Sequence, residues 1–298
     1  MRLLNKYLFF SLRPKQWTKN LFIFIPLIFG KKLFIFPNNY YCLGAFFIFS
    51  MASSAVYLIN DLIDVEADRL HPTKRLRPIA SGKVNKSIAL GAGSFLGFFA
   101  IYLSFMLNNV FCYIVIAYFI FNFIYSRFFK EIVIIDVFCL GIFFLIRLLV
   151  GSVLAEVEMS HWLIIMVSLL SFFLGFNKRR QELKLLEKKA IQHRHVLAEY
   201  NLYFIDQMIA IITSSIVITY MLYAVDARTV RKFGSNNLMY SIPFVFYGIF
   251  RYLYLIHKVF RNGDPTQMLF SDKMLQIDVL MWIGVCIAVI YFHLDLPF

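Results

Sequence analysis

The sequence predicts an all-α, polytopic membrane protein crossing the bilayer nine times. Three observations carry that expectation. The 298 residues are 60% hydrophobic and only 16% charged, whereas globular domains average about 45–50% apolar and about 25% charged. Mean hydropathy is +0.71. The apolar residues gather into repeated runs long enough to cross about 30 Å of hydrocarbon, and the charges collect between them.

Residues 1–20 are basic and aromatic, and 1–16 read as an interfacial segment that Pro14 ends or kinks. No cleavable signal peptide is expected, because Met1–Ser11 is short and runs straight into Arg13-Pro14-Lys15. The spans are expected at 17–36, 41–64, 87–107, 110–127, 131–153, 160–178, 201–224, 239–257 and 277–294. Residues 65–86 form the first large polar loop, with a turn at Ser81-Gly82, and 178–200 form the second, with a helical linker over 183–200. Asn108-Asn109 joins spans three and four. Spans two to four and six to eight run loosely parallel, a hint of an internal repeat. The whole chain reads as one domain.

The net charge of +13 is placed as the positive-inside rule expects rather than in a nucleic-acid patch. A cytoplasmic N-terminus puts roughly 24 of the 30 Lys and Arg on the cytoplasmic side. Only Lys31, Lys32, Arg147, Arg228, Arg231 and Lys232 are left outside or buried. Cys42, Cys112, Cys139 and Cys286 stand singly in or beside apolar runs and read as packing residues. The histidines show no metal-ligand spacing, so no transition-metal site is expected. Lipid-facing and subunit-facing apolar surfaces look alike, which leaves a homo-oligomer open.

The chemistry concentrates between Tyr57 and Val84. Asn60, Asp64 and Asp68 are spaced i, i+4, i+8 and share one face of a helix, with Asp61 beside them. Oxygen ligands so placed suit Mg²⁺, which binds through one or two carboxylates plus substrate phosphates. Lys74, Arg75 and Arg77 follow and can hold the phosphates. The stretch reads as a Mg²⁺–diphosphate site at a membrane surface. A merely solvated loop is the plainer alternative, set against three carboxylates in register beside an intramembrane asparagine. Asp136 and Arg147 are ionisable residues within span five. Arg147 lies about 16 Å further along the helix at about 1.5 Å per residue and reads as structural.

With these residues the sequence resembles the UbiA superfamily of membrane prenyltransferases. The resemblance is carried by Asn60-Asp61-x-x-Asp64-x-x-x-Asp68, by His71-Pro72-x-Lys74-Arg75-x-Arg77-Pro78-Ile79, and by Tyr125 with Lys130. It implies a helical bundle with a central cavity open sideways to lipid, and departure of a Mg²⁺-bound diphosphate from an activated carbon. Most members carry a second Asp-rich motif at the end of span six. Here that place reads Asn177-Lys178-Arg179-Arg180-Gln181-Glu182-Leu183.

This variant is similar to one branch, the decaprenyl-phosphate phosphoribosyltransferases. The similarity also covers Leu12-Arg13-Pro14-Lys15-Gln16-Trp17-Thr18-Lys19-Asn20, Arg251-Tyr252-Leu253-Tyr254 and Gly263-Asp264-Pro265-Thr266. It implies transfer of 5-phosphoribose from phosphoribosyl diphosphate (PRPP) to a polyprenyl phosphate in a bacterial cytoplasmic membrane, on the way to cell-envelope glycans. On that reading Asn60, Asp61, Asp64 and Asp68 hold the metal. Lys74, Arg75, Arg77, Tyr125, Lys130, Lys178 and Arg179 bind phosphate. Glu182 takes a ribose hydroxyl or a metal water, and Lys15 and Lys19 catch the lipid phosphate. The cations at 178–180 also fit a positive-inside anchor, and Lys15 and Lys19 also fit an interfacial snorkelling pair. Two alternatives remain: a prenyltransferase acting on an aromatic or lipid acceptor, and a transporter of phosphorylated lipids.

Overall fold

The computed structural model describes residues 2–70, 73–186, 196–259 and 271–292. All regular structure among them is helical. The helices are α1 (Arg2–Ser11), α2 (Phe24–Phe29), α3 (Asn38–Ile63), α4 (Val65–Leu70), α5 (Lys86–Leu107), α6 (Asn109–Arg127), α7 (Ile135–Ala155) and α8 (His161–Leu186). They continue as α9 (Val196–Glu199), α10 (Leu202–Val225), α11 (Ala227–Phe233), α12 (Ile242–Tyr254) and α13 (Lys273–Phe292). Among the described residues, eight stretches are long and apolar enough to cross a membrane: α3, α5, α6, α7, α8, α10, α13 and the stretch Asn237–His257 built around α12.

The expected first span departs from the prediction. Residues 17–36 do not form one long α-helix; a 3₁₀ segment, Pro14–Ile23, passes directly into the short α2. Pro26 has no amide hydrogen to donate and sits within α2, which ends at Gly30. The segment nevertheless runs antiparallel along α3. Trp17 Nε1 donates to Ser54 Oγ at 2.9 Å, Asn20 Nδ2 donates to Ser50 Oγ at 2.9 Å, and the Phe24 and Phe46 rings lie 5.8 Å apart. The tighter winding stretches it: Pro14–Phe29 covers about 29 Å at ~2.0 Å and ~1.5 Å per residue.

The chain divides into two compact units. The first contains the described residues up to Cys139, with Ile146–Glu158. Its short loops are capped by side chains: Asn85 Oδ1 accepts from Ser87 N, and Asn108 Oδ1 accepts from Phe111 N across the tight α5–α6 turn. Gly82 takes a φ of 75° in the expected turn. Gly151 lets α7 press against the 3₁₀ segment, since a Cβ there would lie 2.0 Å from Ile23 O. Arg147 is 4% exposed. Its Nε donates to Asn20 Oδ1 at 2.8 Å, and its guanidinium faces the Phe49 and Tyr118 rings at 5.0 and 5.6 Å. These contacts agree with the structural role expected of it. Asp136 is fully buried in the first turn of α7.

The second unit contains Leu140–Leu145 and the described residues from Met159 onward. α8 runs through Lys178, Arg179 and Glu182 to Leu186, so these residues lie on a helix rather than a loop. Its last part packs on the start of α10, where Arg180 Nε donates to Asp206 Oδ1 at 2.5 Å. Deeper in, Trp282 Nε1 donates to Tyr220 Oη at 2.9 Å, and Tyr220 Oη lies 2.6 Å from Ser241 Oγ. Arg251 Nη2 donates to Asp272 Oδ2 at 2.7 Å. Gly263-Asp264-Pro265-Thr266 lies outside the described residues.

Candidate active site

The candidate site lies in the first unit, where α3 ends. Asn60 and Asp61 occupy its last turn, Asp64 is its C-cap residue, and Asp68 sits on α4. Asp64 N donates to Asn60 O at 2.9 Å and Asp68 N to Asp64 O at 2.8 Å. The helical register therefore survives the junction, and the predicted four-residue spacing is kept.

The side chains nevertheless fall into two groups rather than one row. Asp61 and Asp68, seven positions apart and so on one face, are each 3% exposed. Asp64, one turn before Asp68, instead has its side chain 42% exposed. Asn60 accompanies it, accepting a hydrogen bond at 3.3 Å from Ser126 Oγ of α6. Lys130 Nζ, from the 3₁₀ turn after α6, lies 3.5 Å from Asp64 Oδ1.

The buried pair is held by arginines. Arg77 Nη1 donates to Asp61 Oδ1 at 3.0 Å and to Asp68 Oδ2 at 2.6 Å. Arg13 Nη2 also donates to Asp61 Oδ1, and its guanidinium lies 4.8 Å from the centre of the Tyr57 ring. The two buried carboxylates are thus faced by two guanidinium groups.

Local packing fixes this arrangement. Ile79 and Val84 of the 65–86 loop are buried with Leu58, Val65 and Ala89, under partly buried Tyr7 and Leu12. Arg69 Nε donates to Ala80 O at 3.2 Å. These contacts carry Arg77 over the end of α3. Arg13, with a left-handed φ of 54° immediately before Pro14, turns the chain from α1 into the 3₁₀ segment beside Asp61.

The other predicted residues divide by location. Lys74 and Arg75 lie on the 3₁₀ turn Lys74–Leu76, two or three positions before Arg77. Tyr125 is half-buried next to Ser126, and Lys15 and Lys19 lie on the 3₁₀ segment that follows Arg13. His71 and Pro72 lie outside the described residues. In the second unit Lys178 is half-buried, while Arg179 is fully buried and donates to Glu182 Oε2 one turn along α8. Arg13, Ser126, and Asp206 as the partner of Arg180 have no place among the predicted ligands. Their only sequence signal is polarity beside an apolar run, which names no partner.

A cavity of about 370 Å³ begins at Asn60 and Ser126 and continues between α3, α5 and α6, past Ile59, Gly93, Gly97 and Phe119. Asn60, Asn122 and Ser126 make one end polar, and beyond them the lining is mainly apolar, with Ser94 as a further polar group.

Residues 34–276 match the model of the UbiA prenyltransferase family. The chain belongs to that family. Among its relatives is the decaprenyl-phosphate phosphoribosyltransferase of Mycolicibacterium smegmatis, 31% identical over 95% of this chain and 92% of that protein. The decaprenyl-phosphate phosphoribosyltransferase of Corynebacterium glutamicum is 30% identical over 94% of this chain and 86% of that protein. A solved UbiA homologue from Archaeoglobus fulgidus, bound to GPP and Mg²⁺, shares the fold with a TM-score of 0.70 at 17% identity, covering 95% and 99% of the two chains. The all-α UbiA expectation is met in fold and family.

The donor set of this UbiA site suits a hard divalent cation. Asn60, Asp61, Asp64 and Asp68 offer oxygens only. Among the described residues no three His, Cys, Asp or Glu side chains close into a ready cage.

Proposed function

We propose that the protein transfers 5-phosphoribose from PRPP to a polyprenyl phosphate, releasing diphosphate, in a bacterial cytoplasmic membrane. The observation that carries this reading is the match of about 30% identity to two decaprenyl-phosphate phosphoribosyltransferases over nearly the whole chain. The mixed cluster of carboxylates and cations at the end of α3 supports it chemically. The N-terminus and the loops around 65–86 and 178–200 face the cytoplasm on this reading, where PRPP is available.

Asp64 and Asp68, with Asn60 and Asp61 assisting, would hold Mg²⁺ on the donor's diphosphate. The ion supplies Lewis-acid neutralisation of the leaving oxygens. Lys130 stands beside Asp64, and Lys74, Arg75 and Arg77 crown the same helix end. They bind the diphosphate and steady the charge that grows on it as the C1–O bond breaks. The bond's electron pair leaves with the diphosphate, the ribose becomes oxocarbenium-like, and an oxygen of the lipid phosphate forms the new bond to C1. That oxygen is already ionised, so the attack needs no strong general base. Tyr125 donates to a phosphate oxygen. Lys15 and Lys19, on the same 3₁₀ segment that begins at Arg13, receive the lipid phosphate. Lys178 serves the donor's 5-phosphate. Arg179, bonded to Glu182, binds phosphate, and Glu182 takes a ribose hydroxyl or a metal water.

The test is turnover by purified protein in detergent with radiolabelled PRPP, a polyprenyl phosphate and Mg²⁺. An EDTA control and a parallel reaction of a prenyl diphosphate with an aromatic acid run beside it. Label entering the lipid phase only with Mg²⁺ and lipid phosphate is expected. Product from the aromatic acid alone would make the protein an ordinary prenyltransferase, and product from neither would favour a transporter.

A further inference from the structure

A single nitrogen, Arg77 Nη1, occupies the gap between Asp61 Oδ1 and Asp68 Oδ2, at 3.0 and 2.6 Å. A divalent cation that drew on both carboxylates would compete with Arg77 for the same oxygens. The gap admits one cation at a time, because a guanidinium and a metal ion in it would repel across a few ångströms in a buried setting. Both carboxylates are 3% exposed, so neither can turn to water to find a second partner.

Arg77 itself is not sealed in. Its side chain is 26% exposed, and Nη1 is its only guanidinium nitrogen bonded to a described residue. It is anchored by a loop whose Ile79 and Val84 are buried, while Lys74 and Arg75 beside it lie on a short 3₁₀ turn. Arg13 holds Asp61 from the other side, braced by the Tyr57 ring, and keeps one positive charge on that carboxylate whatever Arg77 does.

We propose that Arg77 is a place-holding cation that makes metal entry conditional on the diphosphate. Without donor, its guanidinium fills the metal position and the cluster is balanced at two positive and two negative charges. A diphosphate gives the guanidinium a better partner, since a planar fork binds phosphate oxygens bidentately. Arg77 then leaves the gap to the metal, and the metal and the diphosphate enter together. Free metal alone is held poorly, and Asp61 and Asp68 are never left bare in the membrane interface. This inference rests on the proposed metal–diphosphate reading and adds the order in which the site fills.

The opposite signs of two effects test it. In Arg77→Gln, Mn²⁺ alone, titrated by electron paramagnetic resonance, should bind about tenfold more tightly than in wild type. Retention of labelled PRPP in Mg²⁺ should fall about tenfold in the same variant. Arg77→Lys, a point charge without the fork, should move both quantities the same ways by about threefold. A purely structural arginine would lower both together, which would overturn the proposal. The wild-type protein gives a second reading that needs no variant. Its melting temperature should rise with Mg²⁺ and PRPP together and stay within about 1 °C with Mg²⁺ alone. An equal rise with Mg²⁺ alone overturns the place-holder and leaves the metal site standing. No response to Mn²⁺, Mg²⁺ or PRPP in any combination overturns the underlying metal–diphosphate reading as well.

Discussion

The two units each contain a cluster of arginines and carboxylates, and the clusters are built on different rules. In the second unit three buried or partly buried arginines each have a carboxylate of their own. Arg180 meets Asp206 across two helices, Arg179 meets Glu182 one turn on, and Arg251 meets Asp272. Arg179 and Arg180 are 0% and 4% exposed. In the first unit one nitrogen of Arg77 serves two carboxylates, Asp61 carries two arginines, and Asp64 stands half open with Lys130 at 3.5 Å. One-to-one pairs are finished structures. Shared and loose pairs are rearrangeable, and that separates a site from a brace.

The sharpest break of this contrast is Asp64→Asn or Asp68→Asn. Each should lower turnover by at least about 10³-fold, in the range lost with a main electrostatic contributor, while the protein still purifies as a monodisperse species. Near-normal turnover in either variant would remove the first cluster from the chemistry.

Lys130→Ala should cost about tenfold in kcat/KM for PRPP, mostly in KM, because its contact with Asp64 is loose and its charge serves the donor. A fall in kcat alone would give Lys130 a role in the bond-breaking step instead.

Arg180→Ala should act on folding rather than chemistry. Its guanidinium is buried beside a half-exposed carboxylate, so about 2 kcal/mol of stability is at stake. Turnover per folded molecule should stay within about threefold of wild type. A large loss of activity with unchanged melting would give Arg180 itself a role in the chemistry.

The smallest effect belongs to Arg251 and Asp272. The Arg251 guanidinium, hydrogen-bonded to Asp272, holds that carboxyl below its ordinary range. A depressed carboxylate adds stability that is present above its unfolded value, near 3.9, and is lost as the pH falls through the folded value. Asp272→Asn should therefore change melting at pH 7 by no more than about 2 °C, with the difference vanishing in strong acid. A difference that grew on acidification would reverse the sign of the pairing.

Much of the fold was legible because a membrane span announces itself locally. Some twenty apolar residues in a row place α3, α5, α6, α7, α8, α10 and α13 to within a few positions. The first span was misread in kind, since hydropathy does not distinguish an α-helix from the 3₁₀ winding of Pro14–Ile23. The acidic motif and Arg77 were legible from spacing and proximity. Arg13 was not, because it lies 48 residues from Asp61 and nothing near Pro14 advertises the contact. The pairing of Arg179 with Glu182 was likewise invisible in the sequence. Charge is visible in a sequence, whereas the partner that neutralises it is a tertiary fact.

The most direct test of the central claim is a double-label single turnover in lipid nanodiscs. PRPP would carry one label in the ribose and another in the diphosphate, with a polyprenyl phosphate in the bilayer and Mg²⁺ in the buffer. The account predicts one equivalent of ribose label in the lipid for each equivalent of diphosphate released, in wild type and Arg180→Ala alike, and neither product in Asp64→Asn. Diphosphate release with no ribose label in the lipid, or equal turnover by Asp64→Asn, would contradict it.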